Sequence, residues 1–471
     1  MLLLALSAAA ARAEAPQARP PEPGLEPGPP LAYQSGDHRF ELGLAQRVRA
    51  EVWDAFAPGS DWFVGSRTRV RAHYAWRELA ALSAEYQHVE LAGMGADASG
   101  AALAYRNANG GDARGDGDQL RQLWLELRPH AALSLRGGRQ DLEFGSEPDY
   151  PEPDWRYLKS ARLGQRLVGT VGWSHVERAY DGASARLDLA GTRFTAFGAQ
   201  PTTGVFDAER GYRRLDGILI GGLGATVARG ALSPDAELGF FAIAYQDERS
   251  SARGGLLQDV EVYTLGASWL GVHALGPGKL DLLLWGAGQL GDYDGQDHAA
   301  GAGLFEVGYQ LPRVFARPWL RAGVNAASGD GSPADGRHRT FFNLMPTNHP
   351  YYGFADQLAF QNLVDSFVQL KLAPHPRLAL NLFFHDFRLH QSEDARYAGS
   401  GAFDHDSFGF SALAANGNPH VGQEYDLVLG FTPHEFVELE VGYAYLDGGG
   451  AFAASASRTL HFGYAMLSLR Y

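Results

Sequence analysis

The sequence predicts an all-β chain, and three observations carry that reading. Apolar and polar residues alternate with a period of two along many segments, where a helix would space its apolar residues near 3.6. No apolar run reaches the roughly 20 residues of a membrane-crossing helix. Short turn clusters and long Gly-rich stretches take turns in separating the alternating segments. The chain has 471 residues, 59 of them Gly and none Cys. Absence of cysteine fits an exported protein, and a net charge of −14 argues against nucleic acid as a partner.

In chain order, Met1–Ala13 reads as a secretory signal, with an apolar core and Ala11-Arg12-Ala13 as a small-x-small cleavage site. Residues 14–35 are rich in proline, show no buried pattern, and read as a disordered linker. From about residue 36 to 471 the alternation is sustained. Phe40, Leu42, Leu44, Val48 and Val52 share one face, with Glu41, Arg47, Arg49 and Glu51 on the other. The next segment sets Arg67, Arg69, Arg71 and His73 against Val70, Ala72, Tyr74 and Trp76. The same pattern recurs at 122–128, 182–189, 365–372, 377–384, 424–431 and 435–445.

Such a chain is either a soluble sandwich with its apolar face inside or a membrane barrel with that face on lipid. Aromatic residues at the ends of apolar runs (Trp76, Trp269, Trp285, Phe431, Tyr443, Tyr445) match the girdles of a barrel. Long stretches at 93–118, 146–175, 247–258, 325–360 and 390–420 alternate with short turns such as Pro129-His130, Pro374-His375 and Pro433-His434. The expected fold is therefore a single-chain antiparallel transmembrane β-barrel of about 18 strands, each of about 10 residues. Its final strand sets Ala465, Leu467, Leu469 and Tyr471 against Ser468 and Arg470. That ending resembles the last strand of bacterial outer-membrane barrels, which the assembly machinery reads. The expected location is the outer membrane, with lipid as the first partner.

The polar faces carry the chemistry. Only three of the 40 basic residues are Lys (Lys159, Lys279 and Lys371), and arginine binds carboxylates and phosphates through a planar fork. Arg47, Arg49, Arg67, Arg69, Arg71, Arg139 and Arg186 alternate with apolar residues, so they face a lumen if those face lipid. Glu41, Glu51, Glu85 and Glu126 are expected to compensate part of that charge.

A family resemblance rests on Leu135-Arg-Gly-Gly-Arg-Gln-Asp-Leu-Glu-Phe-Gly145, then Asp154-Trp155, then Arg178-Ala-Tyr-Asp-Gly182. Later come Ala327-Ser-Gly-Asp330, Pro346-Thr-Asn-His-Pro-Tyr-Tyr-Gly-Phe-Ala-Asp356, Asn362, His385-Asp-Phe-Arg-Leu389, Gly422-Gln-Glu-Tyr-Asp426 and Gly442-Tyr443. These resemble the alginate-export family of outer-membrane barrels, in order, over residues of about 40–471. The resemblance implies an Arg-rich lumen passing an anionic polysaccharide or a small solute. Arg139 is carried over from the Gly-Arg-Gln motif, Arg121 from an Arg-Gln pair and Arg178 from the Arg that opens the next strand. Gly137-Gly138 is a place where a bulge would reverse the alternation at Arg139.

The first expectation is a channel for small, preferentially anionic solutes, with export of a polymer such as alginate as the alternative. An excess of 54 acidic over 40 basic residues weighs against a dedicated polyanion conduit. Readings of another class are a barrel hydrolase, from His385-Asp386 or Asp404-His405-Asp406, and a structural or adhesin barrel with a packed lumen. Gly110–Asp118 is acidic and Gly-rich but lacks the spacing of a calcium loop. No enzyme activity, cofactor or metal is expected.

Overall fold

The computed structural model describes residues 31–55, 61–249, 259–399, 412–452 and 458–471. The signal expected at 1–13, most of the expected linker and the Asp404-His405-Asp406 motif lie outside the described residues.

Eighteen antiparallel strands close on themselves. They are β1 His38–Ala55, β2 Asp61–Trp76, β3 Ala80–Ala92, β4 Arg114–His130, β5 Leu133–Gln140 and β6 Tyr180–Leu189. Then follow β7 Thr192–Pro201, β8 Ile218–Val227, β9 Ala236–Asp247, β10 Val260–Leu275, β11 Gly278–Tyr293 and β12 Gln296–Gln310. The last are β13 Trp319–Ala327, β14 Leu363–His375, β15 Leu378–Leu389, β16 His420–His434, β17 Val437–Gly448 and β18 Thr459–Arg470. β18 pairs with β1, Val48 opposite Leu467, and Tyr471 exchanges backbone hydrogen bonds with Leu44. Every strand edge is thereby paired, as a lipid environment demands of its backbone groups.

The faces decide between barrel and sandwich. Leu42, Leu44, Val52, Val70, Leu82, Leu125, Leu427, Val441 and Leu469 point outward and are exposed. Their neighbours Arg47, Arg49, Arg67, Glu85, Asp426, Glu440 and Ser468 are buried inside. The apolar face lies on the outside, where lipid replaces water at little cost. Trp285 departs from the girdle expectation: it points inward, 7% exposed, and stacks on Phe241.

At one end the connections are short, for instance 131–132, 276–277, 376–377 and 435–436. The other end carries 93–113, 141–179, 202–217, 328–362 and 390–419, with 294–295 a tight exception. The short-turn end is periplasmic by the rule for such barrels. Three of its turns use one device, Pro-His followed by two residues. The ring Nδ1 of His130, His375 and His434 accepts the amide two residues on, from Ala132, Arg377 and Phe436. The ladder shifts register there in each case, between 127 and 130, 372 and 375, and 431 and 434. Proline fits because the bulge needs no ladder donor at that place.

The structure corrects one boundary. Leu31–Ser35, expected in the linker, is a strand paired with the first residues of β1, Leu31 opposite Leu42.

The interior is crossed by two of the long connections. Pro153–Leu158 is a short α-helix continued by a π-helical turn, Lys159–Leu163, and both sit inside the barrel. Val168 forms a parallel bridge with Met345, and the flanking amides of Gly169, Met345 and Thr347 continue the pairing. One buried cluster thus runs from Trp53 and Tyr464 on one wall, through Trp155, Leu163, Phe342 and Tyr352, to Tyr245 and Trp319 on another.

Closure between β1 and β18 is testable because the native chain has no cysteine. Gln46 and Leu469 are opposite each other and both point to lipid. Their Cβ atoms lie about 5 Å apart in such a pair, within reach of a disulfide after small adjustment. The Gln46→Cys/Leu469→Cys protein is expected to migrate faster than its reduced form on a denaturing gel after boiling. Unchanged mobility under oxidation would contradict the closure.

Candidate functional site: the basic wall and its plug

The basic wall is built by register. Arg47 of β1 stands opposite Arg67 of β2, while Arg49 faces Gly65, Arg69 faces Ala45 and Arg71 faces Gly43. Small residues across the seam leave room for long guanidinium arms. Arg121 sits on β4 where the ladder shifts, between partners Glu85 and Tyr86, and the shift turns it inward.

This wall does not face open water. The connection 141–179 returns through the lumen and lays residues 171–179 against it. Arg47 donates to the carbonyls of Gly172 at 3.0 Å and Trp173 at 3.1 Å, and also to that of Ser174. Arg49 donates to the carbonyl of Trp173 at 2.7 Å and lies 3.7 Å over its ring. The other face of Trp173 stacks on His349 at 3.9 Å. Glu177 enters among three cations: Arg67, Arg69 at 2.8 Å and Arg121 at 2.7 Å. Burial alone pushes the Glu177 carboxyl up, but Arg67, Arg69 and Arg121 more than reverse this and hold it well below the usual carboxylate range. His175 nearby is pushed well below its ordinary value, first by burial and then by Arg49, Arg47 and Arg67. That ring packs on Gly65, where a Cβ would lie 2.3 Å from its Nε2.

A second node fixes the same connection to the opposite side. Glu306 of β12 accepts from Arg162 at 2.7 and 2.9 Å, from Arg166 at 3.2 Å and from Arg321 of β13 at 2.7 Å. Arg166 also reaches Tyr352 and lies 4.0 Å over Tyr351, so it ties the two inward connections together. Further round, β14 to β17 present Asp365, His385, Glu424, Asp426 and Glu440 to the interior. The lumen therefore has a basic wall on β1–β4 and an acidic one on β14–β17, with the plug between them.

Of the nine arginines singled out in the sequence, Arg47, Arg49, Arg67, Arg69, Arg121 and Arg178 are buried inside the barrel. Arg71 lines the interior below them, half-buried, and Arg186 lies on the lumen face of β6 beside Asp188, 3.8 Å away. Arg139 is the correction. The β4–β5 register runs unbroken from Leu135 to Arg139, without a bulge at Gly137-Gly138. Arg139 thus shares the outward face of Leu135 and pairs with Asp181 at 2.6 Å, beside Arg214. Gly138 (φ +123°) is required for a different reason: a Cβ there would meet the Leu123 carbonyl oxygen at 2.3 Å. The inward arginine of this strand is Arg136, which lies 3.9 Å over Trp124 and pairs with Glu126 at 2.7 Å.

The expected compensating acids do bond to arginine: Glu51 to Arg49, Glu85 to Arg121, Glu126 to Arg128 and Arg136, and Glu41 to Arg39. Glu177, Glu306, Arg162, Arg166 and Arg321 were not singled out in the sequence. The spacing of Arg162 and Arg166, and Glu177 next to the motif residue Arg178, were the available signals. His385 and Asp386, successive residues of β15, point to opposite faces and form no pair; His385 bonds Asp365 at 2.9 Å. Among the described residues no group of three or more His, Cys, Asp or Glu could hold a metal ion.

Solved structures share this architecture. Outer membrane protein opdK from Pseudomonas aeruginosa aligns with a TM-score of 0.56 at 10% identity, covering 91% of this chain and 98% of that one. OccAB2 from Acinetobacter baumannii aligns at 0.61 and 11% identity, covering 91% and 97%. Pseudomonas aeruginosa OccK2 (OpdF), in complex with glucuronate, aligns at 0.55 and 10% identity, covering 91% and 97%. At such identity the likeness concerns the fold. No curated protein matches the sequence. A family model described as "Alginate export" matches residues 39–465. With the outward apolar faces and the closed 18-strand wall, that match makes this an outer-membrane protein, and the chain belongs to the alginate-export family.

Proposed function

We propose that the barrel is a channel for small solutes with a preference for anions, carboxylates above all. The observation that carries this is Arg47. Its charge is met by the carbonyls of Gly172, Trp173 and Ser174, in a row with Arg49, Arg67, Arg69, Arg71 and Arg121. Carbonyl dipoles hold a guanidinium in place but leave its charge for an incoming anion, which it binds through a fork. Rings of arginine favour anions in pores in the same way. Two barrels of this fold were solved with vanillate and with glucuronate, both carboxylates, which fits the reading.

Family membership favours a second reading, export of an anionic polysaccharide. Against it stands the interior, crossed at mid-height by packed segments that a polymer would have to clear along its whole passage. The terminal strand β18 is the segment by which we expect assembly machinery to take up the chain.

Reversal potentials in planar bilayers under a salt gradient test the anion preference. A unit charge about 5 Å from a permeating ion in water is worth about 0.8 kcal/mol, a factor of roughly four. Arg47→Ala is therefore expected to lower the anion-to-cation permeability ratio by roughly that factor. A cation-selective wild type would end the proposal. Added uronate oligomer is expected to leave the conductance unblocked, whereas block would favour the polymer reading.

The plug's second anchor gives an independent expectation. Removing one member of a buried charge group costs about 3–5 kcal/mol. Glu306→Gln is expected to lower unfolding stability by about that amount in urea titrations and to raise conductance, since Arg162 and Arg166 lose their common partner.

A further inference from the structure

We propose that Arg67, Arg69 and Arg121 form a carboxylate-binding site which Glu177 fills as an internal stand-in, and which a permeating solute's carboxylate takes over as the plug withdraws. The inference rests on the small-anion reading above and names the ligand group and the place where it binds.

Two of the three guanidiniums are held without Glu177. Arg69 Nε donates to Gln87 Oε1 at 2.7 Å, and Arg121 Nη1 to Glu85 Oε1 at 2.7 Å. Gln87 and Glu85 belong to β3, so the wall holds Arg69 and Arg121 in place when the loop moves, whereas Arg67, bonded to Glu177 and the Ser174 carbonyl, is released by that movement to meet an incoming group. Glu85 and Asp141 are the other carboxylates bonded to Arg121, and Glu85 is also 3.6 Å from Arg69. Taking Glu177 away leaves three guanidiniums bonded to two carboxylates, with Arg47 and Arg71 beside them, so the nest keeps an excess of positive charge. That is the complement of a monocarboxylate, bound through charge-assisted hydrogen bonds. The site is 1–2% exposed at Glu177 and the three arginines, so the bonds form away from competing water.

The stand-in is held under strain. Glu177 adopts φ +64° and Val171 φ +58°, and Val205, which donates its amide to the Glu177 carbonyl, adopts φ +49°. Residues with a Cβ, branched ones above all, rarely occupy this region. Three such residues, two of them bonded to each other, mean that the carboxylate contacts hold the segment in a shape its backbone disfavours. A competing carboxylate removes the reason for that shape.

The test uses the folded full-length protein in detergent and in bilayers, with gluconate as the probe and sorbitol as its uncharged counterpart. Trp173, four residues before Glu177 and stacked between Arg49 and His349, reports loop movement by its fluorescence, with Trp173→Phe identifying its share. Gluconate, but not sorbitol, is expected to change the signal, and Glu177→Gln to bind gluconate on the order of tenfold more tightly, because the internal competitor is gone. Arg69→Gln in the same background is expected to abolish that gain. Should Glu177→Gln not fold, Glu177→Asp, which draws the carboxylate back by one methylene, is expected to shift affinity in the same direction by less. Unchanged gluconate affinity in a variant that still shows heat-modifiable migration would overturn the site. The anion-channel reading fails separately, by reversal potentials without anion preference. Tighter gluconate binding in Glu177→Gln would uphold the site even then.

Discussion

Among the described residues a buried carboxylate shared by three guanidiniums occurs twice, and the rest of the interior depends on it. At Glu177 the carboxylate comes from the plug and the cations from the wall. At Glu306 the order is reversed in part, with wall carboxylate and wall Arg321 receiving Arg162 and Arg166 from the plug. Each ion alone would be costly to bury, and only dense mutual bonding offsets that cost. The two nodes hold the middle and the far end of one connection to opposite walls. Everything packed between them, from Trp155 to Tyr352, inherits its position from this pair of fixings.

The two lumen walls differ in the side chains they carry. Basic residues gather on β1 to β4, and Asp365, Glu424, Asp426 and Glu440 on β14 to β17. The overall excess of acidic residues is therefore compatible with a locally basic path, because net charge does not report how charge is placed.

The wall was legible where its two faces differ in polarity. β1, β2 and β14 to β18 alternate strongly, and the face of each follows from counting by twos. β11 and β12 were harder, since Gly286, Gly288, Gly301 and Gly303 carry no side chain to mark a face. The plug was not legible, because 141–179 and 328–362 have no period, and their burial depends on contacts between residues far apart in the chain. Arg139 shows a different fault. Counting by twos from the lipid-facing Leu135 along an unbroken register puts Arg139 outward, and only a bulge at Gly137-Gly138 would turn it in. Glu177 went unnoticed because a single Glu in a long connection has no pattern until the wall it meets is known.

The reach of the plug contacts has a consequence for the order of folding. Arg47 bonds to Gly172, 125 residues further on, and Thr347 bonds to Gln165, 182 residues back. The wall, by contrast, is almost wholly built from hairpins of neighbouring strands, which close with little loss of chain entropy. Hairpins therefore form first and the interior is filled last. A wall that closes ahead of its plug leaves its arginines to water and counter-ions until Glu177 arrives, while at Glu306 it is the wall carboxylate that waits for the plug's arginines.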